Sequence, residues 1–192
     1  NNGALQTGMP SWSDSGLQEL VSQMRMDSRK PVFRVDAWEV ERFREAANQG
    51  NLSSARDLFL MTTKEYHNYE GSGGNFWSRR SQAAMLINYL ASPEMRKGRG
   101  AKGLLEEYLK NMITVIDQIE KEREADLDEA RKKLKDKDGE KEYRAARRKI
   151  FVEQEKLLLE RTFNLTLHDW AERDWEQFEK GLHSAYGVKW RG

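Results

Sequence analysis

Between Leu104 and Gly181 the chain has no proline, and a single glycine, Gly139, interrupts the run of helix-forming residues. Leu105, Leu109, Met112, Ile116 and Ile119 step by four and three, which places them on one stripe of a helix and not on alternate faces of a strand. The stripe thins through Leu127, Ala130 and Leu134, and a similar rhythm returns at Tyr143, Ala146, Ile150, Leu157 and Asn164. The cluster Asp136-Lys137-Asp138-Gly139 offers a left-handed residue at which the chain can reverse. The reading is a long antiparallel helical hairpin, coiled-coil-like, over 104–192 with its turn at 136–139. At 1.5 Å per residue the outgoing arm runs to roughly 50 Å, too long to be held by propensity without a mate.

Charge supports the same pairing. Glu120, Glu122, Glu124, Asp126, Asp128 and Glu129 make the outgoing arm acidic, and Arg144, Arg147 and Arg148 make the returning arm basic. A turn at Asp138 sets Glu120 against Lys156 and Asp128 against Arg148. Exposed pairs contribute about 0–1 kcal/mol each, so they select the register more than they stabilise it. The base of the hairpin is rich in Leu, Ile, Phe and Trp, whereas the far end is mostly charged and projects as a tip.

Upstream, residues 1–14 read as an extended segment and 15–103 as a bundle of four short helices packed on the hairpin base. Ser15-Gly16-Leu17-Gln18 has the form of a capping box, opening a first helix to about Met26, and Pro31 leads into an extended connector over Val32 to Val35. Asp36 and Glu39 signal a second start, with Trp38, Val40, Phe43 and Ala47 as its inner face. Asn51 or Ser53 caps a third helix carrying Ala55, Leu58, Phe59, Thr62, Tyr66 and Tyr69. A fourth follows the flexible glycine loop 71–74 and runs from Asn75 to Ala91. The class is all-α.

Composition excludes several functions. With no cysteine there is no disulfide scaffold, thiol catalysis or cysteine-ligated zinc, and a net charge of +1 argues against a global nucleic-acid or membrane field. No apolar run reaches the roughly 18 residues of a membrane span. A chain beginning at Asn1 suggests processing, which leaves the compartment unknown. The three histidines fall in no triad or zinc motif. His168, Glu172, Glu176, Glu179 and His183 share a stripe opposite Phe163, Leu167, Trp170, Trp175, Phe178 and Leu182, which reads as the solvated face of an amphipathic helix before it reads as a metal site. Asp174 lies within the apolar stripe and needs a partner if buried. The sequons at Asn51 and Asn164 read as chance at Asn164, which borders the apolar stripe.

Of the six tryptophans, Trp38, Trp77, Trp170 and Trp175 read as core. Trp12 and Trp190, with Tyr186, are candidate anchors on a partner or pins for the termini. Arg96, Lys97, Arg99 and Lys102 in the basic glycine loop 96–103, joined by Arg79 and Arg80, form the candidate anion or nucleic-acid patch, although no P-loop is present. The expected function is a non-catalytic structural or adaptor subunit without cofactor, which binds protein partners or itself. Nucleic-acid or anionic-surface binding through 96–102 is the alternative, and an enzyme with an unrecognised site comes third.

Overall fold

The computed structural model describes residues 9–22, 24–27, 30–33, 35–67, 76–91, 103–132 and 139–190. Helices dominate: α1 (Ser11–Ser22), α2 (Ala37–Asn48), α3 (Ala55–Leu60), α4 (Thr63–His67), α5 (Phe76–Ala91), α6 (Leu104–Glu122), α7 (Glu124–Lys132), α8 (Gly139–Leu167) and α9 (Glu172–Ala185). A two-stranded antiparallel ribbon, β1 (Met24–Asp27) with β2 (Lys30–Phe33), is inserted after α1. The first helix therefore ends at Ser22, short of the expected Met26, and part of the expected connector pairs as a strand. The glycine loop 71–74, the basic loop positions 96–102 and the turn positions 136–138 lie outside the described residues.

The long hairpin is present, with α6 and α7 running antiparallel to α8. Asn111 donates to Thr166 at 3.1 Å near the base, while Arg123 lies 3.6 Å from Glu153 farther along. Met112, Val115, Ile116, Ile119 and Leu127 pack against Ile150, Phe151 and Leu158 in one cluster. The Arg123–Glu153 pair falls on the register expected from the charges. Glu120 pairs instead with Arg147, and Glu122 with Arg161 at 2.8 Å. Long arginine side chains slant along the groove to whichever carboxylate the apolar seam brings within reach, so the seam sets the alignment and the charges follow.

Two details of the hairpin differ from expectation. The outgoing arm is broken at Arg123 (φ −107°, ψ 19°), which separates α6 from α7. Gly139 is the first helical residue of α8, not a left-handed terminator; the left-handed glycines among the described residues are Gly50, Gly103 and Gly187. Asn164 is exposed, so its place beside the apolar stripe does not bury it; the inner face runs through Leu158, Thr162 and Phe163 instead.

The short helices gather mainly around α5, which meets α1, α2, α4, α6 and α9, while α3 packs on α8, where Phe59 meets Phe163. From Ser81 to Leu90 every α5 residue is buried, as required of a helix without a solvated side. Most of its polar side-chain atoms are satisfied in place, the Asn88 Oδ1 being left without a partner. Gln82 donates to the Ser53 carbonyl and accepts from the Ser53 amide, and Asn88 donates to the Tyr186 hydroxyl at 2.8 Å. Gly16 marks the closest approach of α1 to α5, where a Cβ would sit 2.5 Å from Ile87 Cγ1 and 2.7 Å from the Ala83 carbonyl oxygen. The hairpin base joins this body through Leu104, Tyr108, Phe163 and Leu167.

Local signals explain the remaining boundaries. α1 starts earlier than the expected capping box because the Pro10 carbonyl accepts from the amides of Ser13 and Asp14, both at 3.0 Å, so its helical segment begins inside the expected extended stretch. The expected third helix is divided. Ser54 caps α3 by accepting from the Asp57 amide, and Glu65 then accepts from the Thr62 amide (2.8 Å) and hydroxyl (2.7 Å), opening α4 with a box of its own. Asp174 has the same role at the start of α9, where it accepts from the Ala171 amide at 3.1 Å. It is a cap, and no arginine is needed.

Candidate interaction surface

On α2 the inward positions are Glu39, Phe43 and Ala46, spaced four and three. That rotation carries Trp38 off the core, and its ring is 44% exposed. Arg42, one turn on, lays its guanidinium over the Trp38 ring at 4.3 Å from the centroid. The neighbouring α5 contributes Trp77, also 44% exposed, from its first turn. Arg42 lies 5.2 Å from that centroid and Arg80 5.7 Å. Two indoles and two guanidiniums thus form a continuous ladder across α2 and α5. Each cation–π contact at such a site contributes about 0.5–1 kcal/mol, enough to restrict the rings without covering them. A shallow groove of ≈ 280 Å³ bordered by Arg42, Glu45, Gln49 and Trp77 continues the face.

The ladder stands on a buried polar floor. The Glu39 side chain is fully buried, accepts from the Ser81 hydroxyl and lies 3.9 Å from Arg80 Nε. Arg80 also donates to Glu19 at 2.6 Å. Burial pushes the Glu39 carboxyl above its ordinary value; the Ser81 hydrogen bond opposes that rise, Glu19 adds to it, and Arg80 and Arg42 pull it back. Arg80, bound on both sides, is held in position beneath Trp77. Arg79 donates to the carbonyls of Glu65 and Tyr66.

The expected site residues therefore scatter. Trp12 is fully buried, edge-on to Phe59 at 4.9 Å and 5.5 Å from Tyr108, so it pins the N-terminal helix and cannot anchor a partner. Tyr186 is likewise buried, its hydroxyl donating to the Met85 carbonyl at 2.9 Å and accepting from Asn88. Trp190 is half-buried beneath Lys180, 4.7 Å from its ring centroid. Of the basic patch, Arg79 and Arg80 are committed to the contacts above, while Arg96, Lys97, Arg99 and Lys102 lie outside the described residues. The His–Glu stripe is not one solvated helix face, because His168 lies in the junction between α8 and α9, Glu179 is buried and His183 nearly so. Among the described residues no three His, Cys, Asp or Glu converge as a metal site requires.

Trp38 and Trp77 were expected in the core. The expected inner face Trp38–Val40–Phe43–Ala47 avoids burying a charge, and the alternative, Glu39–Phe43–Ala46, becomes legible only once Ser81 and Arg80 are known to face Glu39. No described helix is long and apolar enough to cross a membrane. Comparison with protein-family models, with curated proteins and with solved structures finds no match to the chain.

Proposed function

We propose that this chain is a non-catalytic interaction subunit that docks a partner protein on the Trp38–Arg42–Trp77 face. The observation that carries the reading is the exposure of two tryptophan rings held in a fixed stack by arginine. Isolated exposed apolar side chains are ordinary, but Trp and Arg together are the residue types that dominate interface energetics. Because Arg80 and Arg42 already order the rings, little side-chain entropy remains to be lost on docking. The buried Glu39 floor fixes the spacing of the ladder and takes no part in contact.

The test is affinity capture from the native source with wild-type chain and with the double variant Trp38→Ala/Trp77→Ala, folding being checked by far-UV circular dichroism. Loss of a hot-spot pair costs about 2 kcal/mol or more, a drop of roughly 30-fold in affinity. We expect a discrete partner, or a second copy seen by light scattering, with the wild type and its loss with the variant. A lone monomer, or capture unchanged by the double substitution, overturns the reading.

The nucleic-acid alternative keeps one supporting feature, since exposed indoles beside arginines can stack on bases. It is the weaker reading because Arg79 and Arg80 already serve carbonyls and carboxylates of the chain itself. A gel shift whose affinity falls steeply with salt and is weakened by Arg96→Ala, Lys97→Ala and Arg99→Ala would favour it over protein docking.

A further inference from the structure

A cleft of ≈ 360 Å³ opens between α9, the irregular segment that follows it, and the turn joining α2 to α3. Its size suits a small organic molecule. Trp175 and Trp190 supply an aromatic wall, Leu52 and Ala47 extend the apolar side, and Glu179 lies in its lining with Glu176 beside the opening.

Glu179 is the unusual group. It is 9% exposed, and one carboxylate oxygen accepts from the Ala55 amide at the start of α3. The other faces His183 Nε2 at 3.6 Å. Burial holds the His183 imidazole below its usual value, which favours the neutral ring, and its Nδ1 is buried without a hydrogen-bond partner. Two cations line the cleft, Arg56 and Lys189. Arg56 lies 4.0 Å from Glu172, and Lys189 makes no ion pair with Glu179. The carboxylate therefore sits against an aromatic wall with no lysine or arginine among the described residues within ion-pair distance. Burial and the nearby Asp57 both push its carboxyl above the ordinary value, against the Ala55 hydrogen bond.

A cation would reverse that imbalance, and the chain already shows how one is held on this element. The Lys180 ammonium lies over the Trp190 ring and 3.9 Å from Glu176, between an indole face and a carboxylate. An aliphatic stem against tryptophan with its ammonium on a carboxylate satisfies both halves of such a site.

We propose that this cleft binds a primary alkylammonium, its stem along Trp175 and Trp190 and its charge on Glu179. The site shares no residue with the Trp38–Arg42–Trp77 face and stands or falls separately from it.

The experiment titrates the full chain with three probes of matched length and different charge, cadaverine, 1,5-pentanediol and glutarate, followed by calorimetry and tryptophan fluorescence. Blocked lysine, N-acetyl-lysine-N-methylamide, is run beside them to tell a free amine from a lysine side chain of a peptide. We expect saturable binding of cadaverine or blocked lysine, none by the diol or the dianion, and weakening of at least roughly tenfold in Glu179→Gln, which retains an oxygen for the Ala55 amide. Tighter binding of the blocked lysine assigns the site to a peptide, and tighter binding of cadaverine to a free amine. Trp190→Ala, at a half-buried side chain that belongs to neither apolar cluster, is the second variant and should weaken binding severalfold with the fold intact. Equal binding of the diol, undiminished binding in both variants, or no saturable binding of either amine overturns the proposal.

Discussion

Glu39 shows how a single carboxyl links the surface to pH. Burial raises it above its ordinary value of 4.5, the Ser81 hydrogen bond opposing, Glu19 adding, and Arg80 and Arg42 opposing more weakly. A carboxyl that holds its proton more tightly folded than unfolded contributes stability that is complete below 4.5 and is lost as pH rises through the folded value. Glu39→Gln removes that dependence while keeping an acceptor for the Ser81 hydroxyl, and Arg80 retains Glu19 at 2.6 Å. Urea midpoints measured across pH should therefore show the variant gaining on the wild type as pH rises above 4.5, with the gap closing on the acid side. The comparison cancels Glu179, which burial shifts in the same direction, and Glu65, which its Thr62 hydrogen bonds shift in the opposite one. A gap that widens toward acid would mean that Arg80 outweighs burial.

At the scale of elements, α7 depends most on one contact. Leu127 is its fully buried side chain among those described, and α7 packs chiefly on α8. Leu127→Ala removes about 2–5 kcal/mol of packing. Because the helix is short and flanked by the break at Arg123, that loss falls on local opening before it reaches the whole fold. Hydrogen exchange should show amides of residues 124–132 faster by at least roughly 30-fold, with those of α5 unchanged; slow exchange retained in α7 would show that ion pairs such as Arg131–Glu124 (3.1 Å) hold it instead. The hairpin helices were legible in the sequence because each buries a single face, so periodicity records them. α5 was legible as a helix, but its place at the centre was not, since a segment buried all round has no face to read. The ribbon at Met24–Phe33 was hidden because Pro31, a helix breaker, sits in its second strand opposite Met26. The exposed Trp38–Arg42–Trp77 face was missed for a different reason: a buried Glu on α2 reverses the side that a hydrophobicity pattern would choose.

Across the whole molecule the buried apolar residues fall into two clusters. One surrounds α5 and contains Trp12 and Trp175, with Trp170 packed at its edge; the other lies along the hairpin and contains no tryptophan. α8 passes through both, giving Phe163 and Leu167 to the body and Ile150, Phe151 and Leu158 to the hairpin. Tryptophan fluorescence therefore reports the body, whereas far-UV circular dichroism also reads the long hairpin helices. Ile119 is 1% exposed in the hairpin cluster, and Ile119→Ala removes about 2–5 kcal/mol there. With a urea dependence of about 1–3 kcal/mol per molar, the dichroism midpoint should fall by roughly 1–2 M. If the clusters unfold as separate units, the fluorescence midpoint stays near its wild-type position and the two transitions part. A common shift of both probes would mean that α8 transmits the whole loss to the body, making the chain a single cooperative unit. In that case the hairpin could not open while the Trp38–Arg42–Trp77 face stays formed, and any partner held there would sense the state of the hairpin directly.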